Sequence, residues 1–180
     1  MFQTNYDRIF QYINTNPGCH FRKINKDLVL SIGTAQYHLN KLEKEGKIIS
    51  ISKSFYKFYF PNGIFQEHEK EILQILNNES TREILLYILE KKNPTKSNII
   101  NDLNISYSAV NWHLERLISY KVILEKREKN SKRYSVNNNF VDIPIIIKLL
   151  KNYYSGIWKN WSNRLAEIFL IMSNENRNNR

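Results

Sequence analysis

Apolar residues recur first at helical spacing and then in alternation, and this succession of patterns occurs twice along the chain. Residues 5–60 align without a gap on residues 80–135. Identical residues at equivalent positions include Ile9/Ile84, Ile13/Ile88, Ile24/Ile99, Leu39/Leu114, Leu42/Leu117, Ile48/Ile123 and Tyr59/Tyr134. Because the shared positions are mainly apolar, the pattern predicts one core, and therefore one fold, built twice.

Each repeat predicts three helices followed by a β-hairpin. The first helix begins at a capping residue with an acid three positions on, Thr4 with Asp7 in one copy and Ser80 with Glu83 in the other. The second helix is predicted over about residues 21–28 and 96–103. The third follows a tight turn and has Ser31 or Ser106 as its N-cap. Alternation over Ile48–Phe60 and Ile123–Val136 predicts two strands joined by a basic turn.

This order of elements is the winged helix-turn-helix, so the predicted fold class is mainly α with small β-hairpin wings. Two further helices complete it. Ile64–Leu76 is expected to form a connecting helix with an acidic face, and Pro144 is expected to open a long amphipathic helix reaching about Met172. The predicted domains are a first winged unit over 1–62, a connector over 63–78, a second unit over 79–140, and a terminal helix with polar tail over 141–180.

The third helix carries a family resemblance. The segment SIGTAQYHLNKLEKEGKI, from Ser31 to Ile48, resembles the recognition helix of ArsR-like and MarR-like winged-helix transcription regulators, especially archaeal ones. The second copy, SYSAVNWHLERLISYKVI, follows the same pattern but has Lys121 where Gly46 stands. The resemblance covers about residues 5–136. It implies binding of double-stranded DNA, transcription regulation by promoter or operator occupancy, and dimerisation through terminal helices.

Helical geometry predicts which side chains would face DNA. With Ala35, Leu39 and Leu42 buried in one copy, and Val110, Leu114 and Leu117 in the other, the opposite faces carry amides, cations and one aromatic ring each. Gln and Asn pair with adenine, and Arg and Lys with guanine. The candidates on these helices are Gln36, Tyr37, Asn40, Lys41, Lys44, Asn111, Trp112 and Arg116.

The two hairpins add cations that suit the phosphate backbone or the minor groove. The candidates on the wings are Lys53, Lys57, Lys126, Arg127, Lys129, Lys132 and Arg133. Alternatives remain for both surfaces. The helix faces and the second wing could simply be solvated, and Glu115 would repel phosphates unless it met a cytosine amino group. Tyr37 and Trp112 could face a neighbouring domain, and Phe55 or Phe58 could cover the core.

The histidines and the terminal helix each allow two interpretations. His38 and His113 border the buried stripes, where a structural histidine held by a backbone partner is favoured over a proton switch. The four histidines show no paired spacing for a metal, so no cofactor or metal is expected. Self-association as a homodimer is predicted through the terminal helix, with packing back onto its own domains as the alternative. The predicted dimer residues are Tyr153, Ile157, Trp161, Leu165 and Ile168.

Composition fits a partner with many negative charges. The chain of 180 residues has 27 Lys plus Arg against 17 Asp plus Glu, a formal charge of +10, and a single cysteine. Without an apolar run of about 20 residues or a secretory signal pattern, a cytoplasmic protein without membrane contact is expected. No phosphate loop or nucleophile motif points to an enzyme. The alternative function is a winged-helix protein–protein interaction module of the transcription machinery.

Overall fold

The chain forms two compact units, Met1–Asn77 and Asn78–Arg180. The computed structural model describes residues 3–53, 55–128, 130–139, 141–154 and 156. The elements of the first unit are α1 (Asn5–Thr15), β1 (Cys19–His20), α2 (Phe21–Leu28), α3 (Ile32–Lys44), β2 (Ile48–Lys53), β3 (Tyr56–Pro61) and α4 (Glu67–Leu76). Those of the second are α5 (Glu79–Lys91), α6 (Lys96–Leu103), α7 (Tyr107–Ser119), β4 (Ile123–Glu128), β5 (Ser131–Val136) and α8 (Ile143–Tyr153).

The repeated apolar residues build the same core in each unit. All seven identical pairs named above are buried, and Tyr59 and Tyr134 are among the largest fully buried side chains. In the first unit they form one cluster with Cys19, and burial raises the pKa of the Cys19 thiol far above its ordinary value. The predicted fold class, two winged-helix units, is therefore confirmed, and the order helix, helix, helix, hairpin holds in both.

A short strand that the sequence pattern did not predict precedes the second helix of the first unit. β1 pairs antiparallel with β3, with Cys19 opposite Tyr59 and His20 opposite Phe58, so the sheet order is β1-β3-β2. Two residues are too few to show an alternating pattern. In the second unit, β4 and β5 form a two-stranded hairpin, and Thr95 makes an isolated bridge to Arg133.

Capping residues fix where the helices begin. Thr4 and Asp7 form the predicted capping box, and Ser31 and Ser106 cap α3 and α7 as predicted. The cap predicted for the first helix of the second copy was wrong. Asn78 caps α5, its Oδ1 accepting from the backbone N–H of Thr81 at 3.0 Å, which places Ser80 inside the first turn. An Asn side chain two residues earlier meets the same need at least as well as Ser.

The helix after the first wing is shorter than predicted. α4 begins at Glu67 rather than Ile64, because Gln66 caps it in a reciprocal box with Glu69. The backbone N–H of Gln66 donates to Glu69 Oε2 at 3.0 Å, so this carboxylate is buried instead of contributing to an open acidic face. α4 belongs to the first compact unit.

The predicted long terminal helix is interrupted. α8 starts with Pro144 in its first turn, as expected, but ends at Tyr153. Tyr154 leaves helical geometry with φ −133° and ψ 49°, and its N–H donates to the carbonyl of Leu150. The prediction of a continuous helix to Met172 is therefore wrong at this point. The predicted dimer residues Ile157, Trp161, Leu165 and Ile168 lie outside the described residues.

Candidate nucleic-acid interface

The third helix of the first unit is anchored on one side and open on the other. The Ser31 hydroxyl accepts from the backbone N–H of Thr34 at 3.1 Å and fixes its start. Ala35 and Leu39 are fully buried, which confirms the predicted stripe. On the opposite face Gln36, Tyr37, Asn40, Lys41 and Lys44 are all exposed.

The exposed side chains of α3 form few contacts with one another. Gln36 Nε2 donates to Asn40 Oδ1 at 3.0 Å. The Lys41 ammonium lies 4.0 Å from Glu45, and 5.3 Å from the centre of the Tyr6 ring. Lys44 has no hydrogen bond or ion pair within the described part of the chain. Tyr37 is 64% exposed, so its ring does not cover the core of its own unit.

The first wing divides its aromatic residues between core and solvent. Phe58 is buried, whereas Phe55 at the tip is 98% exposed, so Phe58 covers the core and Phe55 does not. Lys53 is exposed at the end of β2. Lys57 is already paired, because its Nζ lies 2.9 Å from a carboxylate oxygen of Glu43 on α3.

A groove of about 220 Å³ lies between the start of α2, the outer face of α3 and the first wing. It is lined by His20, Arg22, Gln36, Phe55, Tyr56 and Lys57, among others. The sequence did not single out His20 or Arg22. His20 acts locally as the N-cap of α2, its Nδ1 accepting from the backbone N–H of Lys23 at 3.2 Å. A histidine just before a helix is a weak signal, because Ser, Thr, Asp and Asn are the usual caps.

The third helix of the second unit presents a more occupied face. Trp112 is 52% exposed, as the outward placement predicts, but Asn111 is half-buried. Lys96 Nζ donates to Asn111 Oδ1 at 2.5 Å, and Asn111 Nδ2 donates to Glu115 Oε1 at 2.6 Å. The Arg116 guanidinium lies 5.4 Å from the Trp112 ring. The structure thus places Asn111, Trp112 and Arg116 on one face of α7, but each of them already contacts another side chain.

The second wing carries both paired and unpaired cations. Lys132 lies 2.7 Å from Glu125, which helps to hold the pKa of that carboxyl below its ordinary value. Arg133 lies 2.9 Å from Glu128 and donates to the carbonyl of Asn93 at 2.9 Å. Lys126 and Arg127 are exposed and form no ion pair within the described residues. Lys129 lies outside those residues.

The two bordering histidines differ from the prediction of a backbone partner. His113 is buried, and its Nδ1 lies 2.7 Å from the hydroxyl of Thr81, a side chain. Burial, followed by the charge of Arg116, lowers the pKa of His113. His38 Nδ1 is buried without a hydrogen-bond partner, and its ring lies 5.1 Å from that of Tyr37. The backbone-partner prediction is therefore wrong for His113 and for His38 Nδ1.

Neither a metal centre nor a membrane span is visible in the part of the chain that the structure describes. Within those residues no three His, Cys, Asp or Glu side chains converge so that they could hold a metal ion. None of the helices described there has the length and apolar character to cross a bilayer.

Two family models match the two halves of the chain. One, described as an N-terminal HTH domain, matches residues 3–73, and one described as winged helix-turn-helix DNA-binding matches residues 77–123. An uncharacterized HTH-type transcriptional regulator from Methanocaldococcus jannaschii is 31% identical over 133 residues. That match covers 74% of this chain but only 33% of the relative, so the chain spans about a third of the relative's length.

Solved structures also match parts of the chain, at lower similarity. An ArsR-like transcriptional regulator from Rhodococcus sp. RHA1 is 22% identical, with 58% of this chain and 92% of that chain covered and a TM-score of 0.38. A zinc-responsive MarR family member from Lactococcus lactis is 15% identical, with 80% and 95% covered and a TM-score of 0.35. TM-scores this low indicate no more than local resemblance.

Proposed function

We propose that this chain of two winged helix-turn-helix units, each half of which matches a helix-turn-helix family model, recognises specific double-stranded DNA sequences. It regulates transcription by occupying promoters or operators. Helix α3 enters a major groove, and the wings lie on the sugar–phosphate backbone. The second unit either contacts an adjacent segment or supports a dimer. The proposal places the chain in the cytoplasm, together with the DNA that it binds.

The observation that carries this proposal is the outward face of α3. It presents two amides and two lysines along a single exposed helix face, opposite a fully buried stripe. These are the groups that pair with purine edges in the major groove, and an α-helix fits that groove. The Ser31-capped start of the helix suits a phosphate. The formal charge of +10 supports attraction to a polyanion.

The proposed contacts comprise every candidate identified in the sequence. They are Gln36, Tyr37, Asn40, Lys41, Lys44, Lys53, Lys57, Asn111, Trp112, Arg116, Lys126, Arg127, Lys129, Lys132 and Arg133. The three on α7 would meet the sugar–phosphate backbone and not the base edges. The homodimer through Tyr153, Ile157, Trp161, Leu165 and Ile168 remains part of the proposal, and a two-fold axis would match a palindromic site.

A second candidate function is favoured by the exposed aromatic residues. Tyr37, Phe55 and Trp112 place large rings in solvent, and such residues serve as anchors in protein interfaces. A protein–protein interaction module would use these rings without needing the lysines of α3. Pull-down of a protein partner that survives nuclease treatment, with no retention of duplex DNA, would favour it.

The deciding experiment removes the two lysines of the proposed major-groove face. Lys41→Ala/Lys44→Ala should weaken duplex binding and flatten the dependence of log K on log salt concentration by about 1 to 2, because each phosphate contact contributes about 0.9 to the slope. Lys148→Ala/Lys151→Ala on α8 removes the same charge elsewhere and is the matched control. Unchanged affinity and slope in the α3 variant would remove this helix from the interface.

A further inference from the structure

The internal repeat allows the two third helices to be compared position by position. Gln36 of α3 is equivalent to Asn111 of α7, and Asn40 is equivalent to Glu115. Lys44 is equivalent to Ser119. Arg116 keeps the charge of Lys41, but the second amide and the second lysine of α3 are replaced in α7 by a carboxylate and a serine.

In the second unit the amide at the centre of this face is already bonded at both ends. Asn111 Oδ1 accepts from Lys96 of α6 at 2.5 Å, and Asn111 Nδ2 donates to Glu115 at 2.6 Å. Both bonds involve an ionised partner, and such hydrogen bonds are roughly twice as strong as neutral ones. An asparagine pairs with adenine through the same oxygen and amide nitrogen. Asn111 would have to break two charged bonds before it could do so.

The equivalent pair in the first unit, Gln36 and Asn40, consists of two neutral amides joined by one hydrogen bond. Gln36 and Asn40 share one amide–amide bond of 3.0 Å, and both side chains are exposed. Gln36 Oε1 and Asn40 Nδ2 make no hydrogen bond within the described residues. Phe21 occupies the position of Lys96, so no ammonium holds Gln36 from α2.

In the wings it is the second unit that has cations where the first unit has uncharged residues. Lys126 and Arg127 of β4 stand where the first wing has Ile51 and Ser52. Both cations are exposed and unpaired within the part of the chain that is described. Cations of this kind contact phosphates, which are the same in every sequence, and therefore add affinity without base discrimination.

We propose that the two units divide the work of DNA recognition: α3 of the first unit discriminates bases, whereas the second unit binds phosphates through Lys126 and Arg127 while α7 reads no base. This inference rests on the proposed DNA-binding function and assigns a different role to each of its two units. The Lys96–Asn111–Glu115 chain serves to join α6 to α7 and to keep the carboxylate of Glu115 occupied.

The test compares equivalent substitutions in the full chain. Duplexes are selected from random DNA with the unaltered protein, with Gln36→Ala/Asn40→Ala, with Asn111→Ala and with Glu115→Gln. Affinities are then measured for the enriched duplex and a scrambled duplex of equal length. Glu115→Gln, which keeps the size of the side chain, is a second variant of α7, and thermal unfolding confirms that each variant is folded.

Gln36→Ala/Asn40→Ala should lower the ratio of enriched to scrambled affinity at least tenfold and erase positions from the selected motif. Asn111→Ala and Glu115→Gln should change that ratio less than twofold. Lys126→Ala/Arg127→Ala should weaken both duplexes by the same factor and reduce the salt slope by about 1 to 2.

Two results overturn the inference and differ from each other. A loss of motif positions in Asn111→Ala or Glu115→Gln, with the unaltered protein binding normally, contradicts the division of work alone. Failure of the unaltered protein to bind any duplex removes the proposed function and the inference with it.

Discussion

Gly46 and Lys121 occupy equivalent positions just after α3 and α7, and both have a positive φ angle, 68° and 57°. The next residue closes each helix in the same way, Lys47 N–H donating to the carbonyl of Leu42 and Val122 N–H to that of Leu117, both at 3.0 Å. Helix α7 therefore ends as sharply as α3, although a lysine stands where glycine is preferred.

This relationship predicts opposite effects for two substitutions. Gly46→Ala should lower the free energy of unfolding by about 1 kcal/mol, and Lys121→Gly should raise it by a similar amount, because a Cβ is disfavoured at positive φ. A Cβ at Gly46 would meet nothing within 4 Å, so the effect would come from the backbone alone. Urea unfolding followed by circular dichroism measures both. An unchanged midpoint in Gly46→Ala would show that the strain is absent.

A second strained position predicts a stabilising change. Val29 follows α2 with φ 53° and is 89% exposed, whereas the equivalent residue in the second unit is Asn104, with φ 52°. β-branched residues rarely adopt this conformation, and Asn tolerates it. Val29→Asn should raise the free energy of unfolding by about 1 kcal/mol. Val29→Thr, which keeps the branch, is the control and should give no comparable gain. A Val29→Asn variant no more stable than the control would refute the explanation.

His113 predicts a pH dependence of stability. Its pKa is lowered by burial and then by Arg116, so below the ordinary value of about 6.5 the unfolded chain binds a proton that the folded chain resists. The free energy of unfolding should therefore fall as the pH drops below about 6.5, by at most about 1.4 kcal/mol per pH unit from this group. His113→Gln should flatten the curve between pH 6.5 and 5. A curve as steep in this variant as in the unaltered protein would exclude His113 as the source.

The proposed dimer predicts a change in mass on truncation. Removing the residues after Tyr154 removes Ile157, Trp161, Leu165 and Ile168 and should convert a dimer into a monomer. Light scattering after size-exclusion chromatography gives the mass directly. Trp161→Ala should shift the equilibrium in the same direction without shortening the chain. A truncated chain that still has twice the monomer mass would place the dimer interface elsewhere.

The core could be predicted from the sequence because apolar identity repeats at fixed positions. Leu39/Leu114 and Ile24/Ile99 are buried as their spacing requires. The short β1 could not be predicted, since two residues carry no period, and its pairing depends on Tyr59 from a distant strand.

The position of the candidate interface could be predicted from the sequence, but not which of its side chains already have partners. Spacing along a helix gives the outward face of α7, and Trp112 is indeed exposed. The bond between Asn111 and Glu115 follows the i, i+4 spacing of a helix, but the bond from Lys96 comes from another helix, so no spacing rule within α7 could reveal it. The end of α8 at Tyr153 could not be predicted either, because the apolar spacing continues beyond Tyr154, the residue that leaves helical geometry.

Binding of the full chain to duplex DNA across a salt series tests the central claim most directly. With about six to eight phosphates neutralised, log K should fall against log salt concentration with a slope of roughly −5 to −7. Absence of retention on duplex DNA at low ionic strength, or a slope near zero, would contradict the claim that this chain is a DNA-binding regulator.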